Sequence, residues 1–330
     1  MRTRSRLAAG ALACLFAGAW AAPPALAADG GDAVKVMTIT DERIVESSGL
    51  AVSRRHPGVL YTHNDSSGRP EIYAIGPDGR VRAVLRLAGA NARDWEGMAV
   101  GVDERGRPAL YVGDIGDNLG GAWPHVTVYR VPEPARLHDQ TLRATAFRLT
   151  YADGPRNAET LMINPRTNRL YVASKQLSGA VYEAPARLRA TGSNTLRRIG
   201  PAPAMATDGA FSPDGRTLVI RTYWSAQVYA FDDRAAEKLT PLARVRLPRQ
   251  EQGESIAYTA DGRALLVGSE GTGQPIWRVP LPDRALPSPT STAAPERVAD
   301  RDRPDARKVG LALVIGVALA LGFGLLRRRS

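Results

Sequence analysis

A short motif recurs five times along this chain and restricts its fold more than any other feature. Each copy is an acid, one or two small residues and an apolar strand: Glu46-Ser-Ser-Gly-Leu-Ala-Val, Glu96-Gly-Met-Ala-Val, Glu159-Thr-Leu-Met-Ile, Asp208-Gly-Ala-Phe and Glu254-Ser-Ile-Ala-Tyr. The spacings are 50, 63, 49 and 46 residues. Self-similarity at this period marks a repeat architecture, in which each copy is one supersecondary unit. A turn follows each copy, at Arg55–Gly58, Asp103–Gly106, Pro165–Asn168, Pro213–Gly215 and Asp261–Gly262. Pro, Asp, Asn and Gly there supply the dihedrals of tight turns.

Second strands follow these turns (Val59-Leu-Tyr-Thr, Ala109-Leu-Tyr-Val, Arg169-Leu-Tyr-Val, Thr217-Leu-Val-Ile, Ala264-Leu-Leu-Val), and a third comes later in each unit, as in Val126-Thr-Val-Tyr-Arg and Gln227-Val-Tyr-Ala. Four units carry a fourth strand, as in Ala83-Val-Leu-Arg-Leu and Leu242-Ala-Arg-Val-Arg-Leu. Four antiparallel strands per unit predict an all-β chain folded as a five-bladed β-propeller. Six blades is the alternative, because the 63-residue second unit has room for irregular structure. The fifth unit lacks a fourth strand, while Val34–Thr40 is a strand without a unit. Pairing it against Pro275–Arg278 closes the ring and removes an exposed edge.

The ends read as addresses. Arg2, Arg4 and Arg6, an apolar stretch from Leu7 and Ala25-Leu-Ala27 make residues 1–27 a cleavable signal peptide. The propeller domain is assigned to 28–282 and a flexible tether, rich in Pro, Ser, Thr and Ala, to 283–308. Residues 309–326 are an unbroken apolar run, about 27 Å long as a helix and enough to cross a bilayer core. Arg327-Arg-Arg-Ser330 is the cytoplasmic tail. The expected location is the cell membrane, with a single pass at the C-terminal helix and the propeller extracytoplasmic. Of the net charge of +11, the leader and the tail hold +3 each and 285–308 holds +1, leaving +4 on the central segment. No basic run with interleaved aromatics occurs there, which excludes a nucleic-acid partner. Cys14 is the only cysteine and falls in the leader, so the mature chain has neither disulfides nor thiol chemistry.

In an antiparallel hairpin the start of one strand and the end of the next share an end. The leading acids and the ends of the second strands therefore gather at one mouth of a central channel. Candidate ligand-binding residues there are His63, Asp65, Glu96, Asp114, Lys175, Arg221, Tyr223 and Glu270. Glu46, Glu96, Asp114, Glu159 and Glu254 are the candidate metal ligands, with Asp65 beside them; Asp94 adds one more carboxylate. So many acids around one axis cannot all stay ionised and unpaired. Lys175, Arg221 and Arg93 can answer some of them, and a divalent cation can answer the rest. Ca²⁺ is the natural ion for oxygen-only ligands. The competing reading makes the repeated acids locks, each accepting backbone amide hydrogen bonds from the neighbouring unit. His63 is read as a polar or acid–base contact at the channel or else as a hairpin-surface residue; Trp95 and Trp224 could stack on a ligand, but packing between units is the favoured reading.

Asp94-Trp-Glu-Gly-Met-Ala-Val100, Tyr111-Val-Gly-Asp-Ile-Gly-Asp-Asn118, Glu159-Thr-Leu-Met-Ile-Asn-Pro165 and Gln252-Gly-Glu-Ser-Ile-Ala257 together resemble a group of secreted actinobacterial β-propeller proteins of undefined activity. More distantly the pattern looks like phytase-like and gluconolactonase-like propellers, which would imply a channel-mouth Ca²⁺ and hydrolysis of esters or lactones. Three functions follow as expectations. The first is a membrane-tethered propeller binding a small molecule or cell-surface partner at its mouth. The second is a Ca²⁺-dependent hydrolase of phosphate esters, esters or lactones. The third is a glycosidase using two of the carboxylates.

Overall fold

Short apolar and β-branched runs separated by turn residues fold here into strands of four to nine residues, with one short 3₁₀ turn as the only helical element among the described residues. The structure, a computed structural model, describes residues 32–65, 68–235 and 237–287. The expected leader (1–27), the membrane helix (309–326) and the tail (327–330) lie outside the described residues, as does the tether from 288 onward. No helix among the described residues is long and apolar enough to cross a membrane.

Strand β1 (Val34–Thr38) comes first. Then follow β2 (Ser47–Val52), β3 (Leu60–Asn64), β4 (Glu71–Ile75) and β5 (Val81–Ala88), an antiparallel meander. The second meander is β6 (Trp95–Val102), β7 (Pro108–Asp114), β8 (Val126–Pro132) and, after a short strand β9 (Gln140–Arg143), β10 (Thr145–Tyr151). The third is β11 (Ala158–Ile163), β12 (Leu170–Ser174), β13 (Ala180–Glu183) and β14 (Ser193–Pro201). The fourth is β15 (Asp208–Phe211), β16 (Thr217–Arg221), β17 (Ser225–Phe231) and β18 (Leu239–Arg246). The last is β19 (Ser255–Tyr258), β20 (Ala264–Gly268) and β21 (Pro275–Pro280).

The first strands touch in a closed cycle: β2 against β6, β6 against β11, β11 against β15, β15 against β19, and β19 against β2. This is a propeller-like, all-β arrangement. Strand β1 pairs antiparallel with β21, Val34 opposite Arg278 and Thr38 opposite Pro275, and so completes the last meander as its pattern predicts. The Gly271 amide also donates to the Val45 carbonyl at 2.9 Å, fastening the last meander to the first. The extra length of the second unit goes into the β7–β8 connection and into β9, which leaves its own meander to pair parallel with β5 of the first. Second and third meanders are further joined by the parallel β10–β14 pair.

Five apolar clusters hold neighbouring elements together. One is centred on Trp95, fully buried with its indole N–H donating to the Asn91 carbonyl at 2.7 Å. Ordered packing continues past the expected start of the tether: Asp283–Ala285 forms the 3₁₀ turn, and Ala285 is buried in a cluster with Val279 and Leu281. The described residues belong to a unit ending at Pro287; the chain's second unit, Ser288–Ser330, lies outside the described residues.

Candidate functional site

The small residue after each acid lets the first strands approach one another. A Cβ on Gly97 would sit 2.3 Å from the Leu161 amide nitrogen, and one on Gly49 would sit 2.9 Å from that of Met98. Both distances are closer than van der Waals contact, so a larger residue would push the strands apart and open the ring. Registry puts the acids at one end of it: Ser47 faces Asn64, Trp95 faces Asp114, Ala158 faces Ser174, Asp208 faces Arg221 and Ser255 faces Gly268.

At this mouth Asp65, Glu96 and Glu254 each offer an oxygen, and the three oxygens lie within 4.8 Å of one another. Glu96 and Glu254 are buried and Asp65 is half-buried. Glu96 accepts from the Ser48 hydroxyl at 2.9 Å, and Glu254 from the Gln252 side-chain amide at 3.2 Å. Glu159, Asp94 and Glu270 surround this triad closely enough to perturb its charge. Among the described residues one cation answers these six carboxylates within 4 Å. It is Lys175, 2.5 Å from Glu159 and 3.9 Å from Glu254.

The imbalance shows in the protonation of the group. Burial, then repulsion from Asp94, Glu254 and Glu46, pushes the Asp65 carboxyl up to about 8. Burial raises Glu159 to about 8 despite Lys175, and raises Glu270 to about 9 with help from a hydrogen bond to Glu254. Glu96 is driven well above the usual carboxylate range by burial and by Glu159, Asp65, Asp94 and Glu254. Asp65 shares a hydrogen bond with Asp94, as Glu270 does with Glu254. Asp65 and Asp94 in such contact hold a proton between them and titrate as one unit. One oxygen each of Asp65, Glu159 and Glu270 is buried with no hydrogen-bond partner among the described residues. Unpartnered buried oxygens of this kind fit an oxygen-liganded cation such as Ca²⁺.

The remaining candidates separate by what their side chains touch. Asp114 stands outside the triad: it accepts from the Asp94 amide at 3.0 Å and lies 3.8 Å from Arg93. Arg93 in turn donates to the Asp114 and Gly116 carbonyls and covers the Trp123 ring, its guanidinium carbon 4.4 Å from the centroid. Glu46 is half-buried next to β2, near enough to Asp65 and Glu270 to raise both. Strand position groups Arg221 with the mouth; its guanidinium is instead fully buried, donating to the Ser255 and Gly268 carbonyls at 2.8 and 3.0 Å and to Gln250. It joins the fourth meander to the fifth, and burial lowers it to about 10. His63 is also fully buried, edge-on to Trp95 with centroids 5.6 Å apart. Burial lowers it to about 4, so it is neutral at pH 7. Tyr223 lines the mouth beside Lys175, whose Nζ is 5.2 Å from its ring centroid.

The locking role holds for one leading acid. Asp208, fully buried, accepts from the Ile256 amide of the next meander at 2.8 Å. The acids therefore do not act alike, although they begin the same motif. Ser48 and Gln252, the donors that orient Glu96 and Glu254, were hidden in the sequence because they look like ordinary members of the repeat. Trp224, expected between units, is 73% exposed on the β16–β17 loop. With Leu119 and Leu177, both exposed on neighbouring loops of the same face, it gives the acidic mouth an apolar rim.

No family model matches this chain, and no curated protein does. Solved structures align with parts of this chain. One is a protein from Lactobacillus plantarum, 20% identical over 68% of this chain with a TM-score of 0.38. This chain spans 64% of that protein's length. Another is a gluconolactonase from Xanthomonas campestris, 14% identical over 78% of this chain and all of its own, with a TM-score of 0.42.

Proposed function

We propose that this chain is a membrane-anchored, extracytoplasmic five-bladed β-propeller that binds Ca²⁺ at its acidic mouth and, around it, a small molecule or cell-surface partner. One observation carries the reading: Asp65, Glu96 and Glu254 bring oxygens within 4.8 Å of one another among six carboxylates for which Lys175 is the one cation within 4 Å among the described residues. A cation supplies the missing positive charge and a partner for the Asp65 oxygen. Asp65, Glu96 and Glu254 would hold it, and Glu159 would stay with Lys175. Lys175 and Tyr223 would then meet the ligand, and Trp224, Leu177 and Leu119 would bury its apolar part or the partner's surface. The membrane anchor rests on residues 309–326 and the arginines behind them.

Melting of the full chain in EDTA and in millimolar Ca²⁺, with calorimetry of the Ca²⁺ titration, tests this. A raised melting temperature and a saturable site are expected; neither appearing would leave the ring as a protonated, proton-sharing cluster.

A second reading, hydrolysis of a phosphate ester, ester or lactone, is favoured by one feature. Glu270, outside the three proposed ligands, is held up to about 9 by burial and by its hydrogen bond to Glu254, so it carries a proton it can donate at neutral pH. Ca²⁺ would supply electrostatic stabilisation of a developing negative charge. Turnover of simple phosphate esters and lactones that is lost in EDTA, and lost in Glu270→Gln while Ca²⁺ binding is retained, would select this reading over binding alone.

A further inference from the structure

The opposite end of the ring has another character. There the five first strands line a cavity of about 460 Å³, built by residues such as Leu50, Met98, Met162, Ala210, Phe211 and Ala257. That is the volume of a small-molecule site, typically about 300–1,000 Å³, and such sites combine an apolar wall with a few placed polar groups. Here the charged group at the wall is Arg54, from the β2–β3 turn. Its side chain stands on an exposed turn at the rim of the cavity and makes no hydrogen bond or ion pair among the described residues. Glu133, the acid that influences it, is engaged elsewhere, accepting from the Ser53 hydroxyl at 2.6 Å and from Tyr61 at 3.2 Å.

The surrounding face has the same sign. The five turns that join first to second strands, at 53–59, 103–107, 164–169, 212–216 and 259–263, carry eight arginines against four carboxylates. The two ends of the ring thus differ in kind: carboxylates at one, an apolar funnel under a basic rim at the other.

We propose that this funnel binds a free medium- or long-chain carboxylate, with its acyl chain between the first strands and its head group at Arg54. An apolar chain satisfies the walls, and one negative charge satisfies the unpartnered guanidinium through a charge-assisted, bidentate hydrogen bond. An alcohol or an amine of equal length satisfies only the walls. The site is independent of the acidic mouth and of any cation there.

The test is equilibrium dialysis of labelled octanoate, decanoate and dodecanoate against the full chain held in an amphipathic polymer. Ala210→Trp, which fills the cavity, serves as the blank for partition into the polymer, and its circular dichroism and melting check that it folds. Saturable binding should strengthen about fourfold for each added methylene until the cavity is full. Arg54→Gln, at an exposed turn position, should weaken decanoate about tenfold and leave decan-1-ol unchanged. Absence of saturable binding overturns the proposal, as does affinity independent of chain length. Decan-1-ol or decylamine binding as tightly as decanoate, or Arg54→Gln leaving decanoate unchanged, overturns the assignment of the head group.

Discussion

Replacing Glu254 by Gln should stabilise the cation-free protein and abolish its response to Ca²⁺. The substitution keeps the shape and the acceptor for Gln252 while removing one charge from the triad. In the wild type, Asp65, Glu159 and Glu270 hold protons up to about pH 8 or 9 that an unfolded chain releases near pH 4. Between those values the native state binds more protons than the unfolded state, so stability falls as pH rises. The cation-free wild type should therefore melt progressively lower from pH 5.5 to 8. Glu254→Gln should flatten that slope, because Glu254 is among the charges that raise all three.

Ca²⁺ acts in the opposite direction. At about 100 times its dissociation constant, a ligand that binds only the native state adds ~2.7 kcal/mol. For a domain of this size that corresponds to a rise of roughly 5–10 °C in melting temperature. The gain should be larger at pH 8 than at pH 5.5, since the ion must displace the protons held by the ring. Calorimetry at pH 7 in buffers of different ionisation enthalpy should register proton release on Ca²⁺ binding. A cation-free melting temperature that is flat or rising over this range, together with no Ca²⁺ effect at pH 8, would refute the reasoning. It would mean that the carboxylates are ionised and satisfied by groups already in the ring.

Other consequences follow from single contacts. Arg221→Met should lower stability by about 2–5 kcal/mol without altering Ca²⁺ binding, because it strands the buried Ser255 and Gly268 carbonyls; urea unfolding reads it. Asp208→Ala should cost about 1–3 kcal/mol by orphaning the Ile256 amide, and Asp208→Asn, which retains an acceptor, should cost less. Deleting Val34–Thr38 should expose the β21 edge and produce concentration-dependent association by light scattering. Protease added to intact cells should release a soluble fragment ending within 283–308; full protection would overturn the extracytoplasmic placement.

The strands were legible because each unit states its own boundaries. An acid and a small residue open the first strand, a Pro/Asp/Gly turn separates it from the second, and a leftover strand at the start matches a missing one at the end. Strand β9 was not legible: Gln140–Arg143 is short and polar, and its pairing with β5 depends on a neighbour far away in sequence. Trp224 was misread because an aromatic in a repeat usually packs inward, whereas this one sits at the tip of a hairpin loop.

The site was legible as a location and less so as a set of ligands. Five acids at equivalent positions look equivalent in sequence, but neighbouring side chains give each a different environment. Asp208 finds the Ile256 amide and becomes a lock. Glu159 finds Lys175 and becomes half of an ion pair. Glu96 finds a neutral donor, Glu254 finds another with Lys175 no nearer than 3.9 Å, and Asp65, a strand-end residue and not a leading acid, comes between them. Arg221 could have balanced them, yet its hydrogen bonds are spent on carbonyls of the next meander. The charge deficit at the mouth therefore comes from departures from the repeat, one residue at a time. Restoring a basic partner tests that origin: Gln252→Lys places an ammonium beside Glu254 and should replace the Ca²⁺ requirement, giving a cation-free melting temperature near that of the Ca²⁺-loaded wild type and no further rise on adding Ca²⁺.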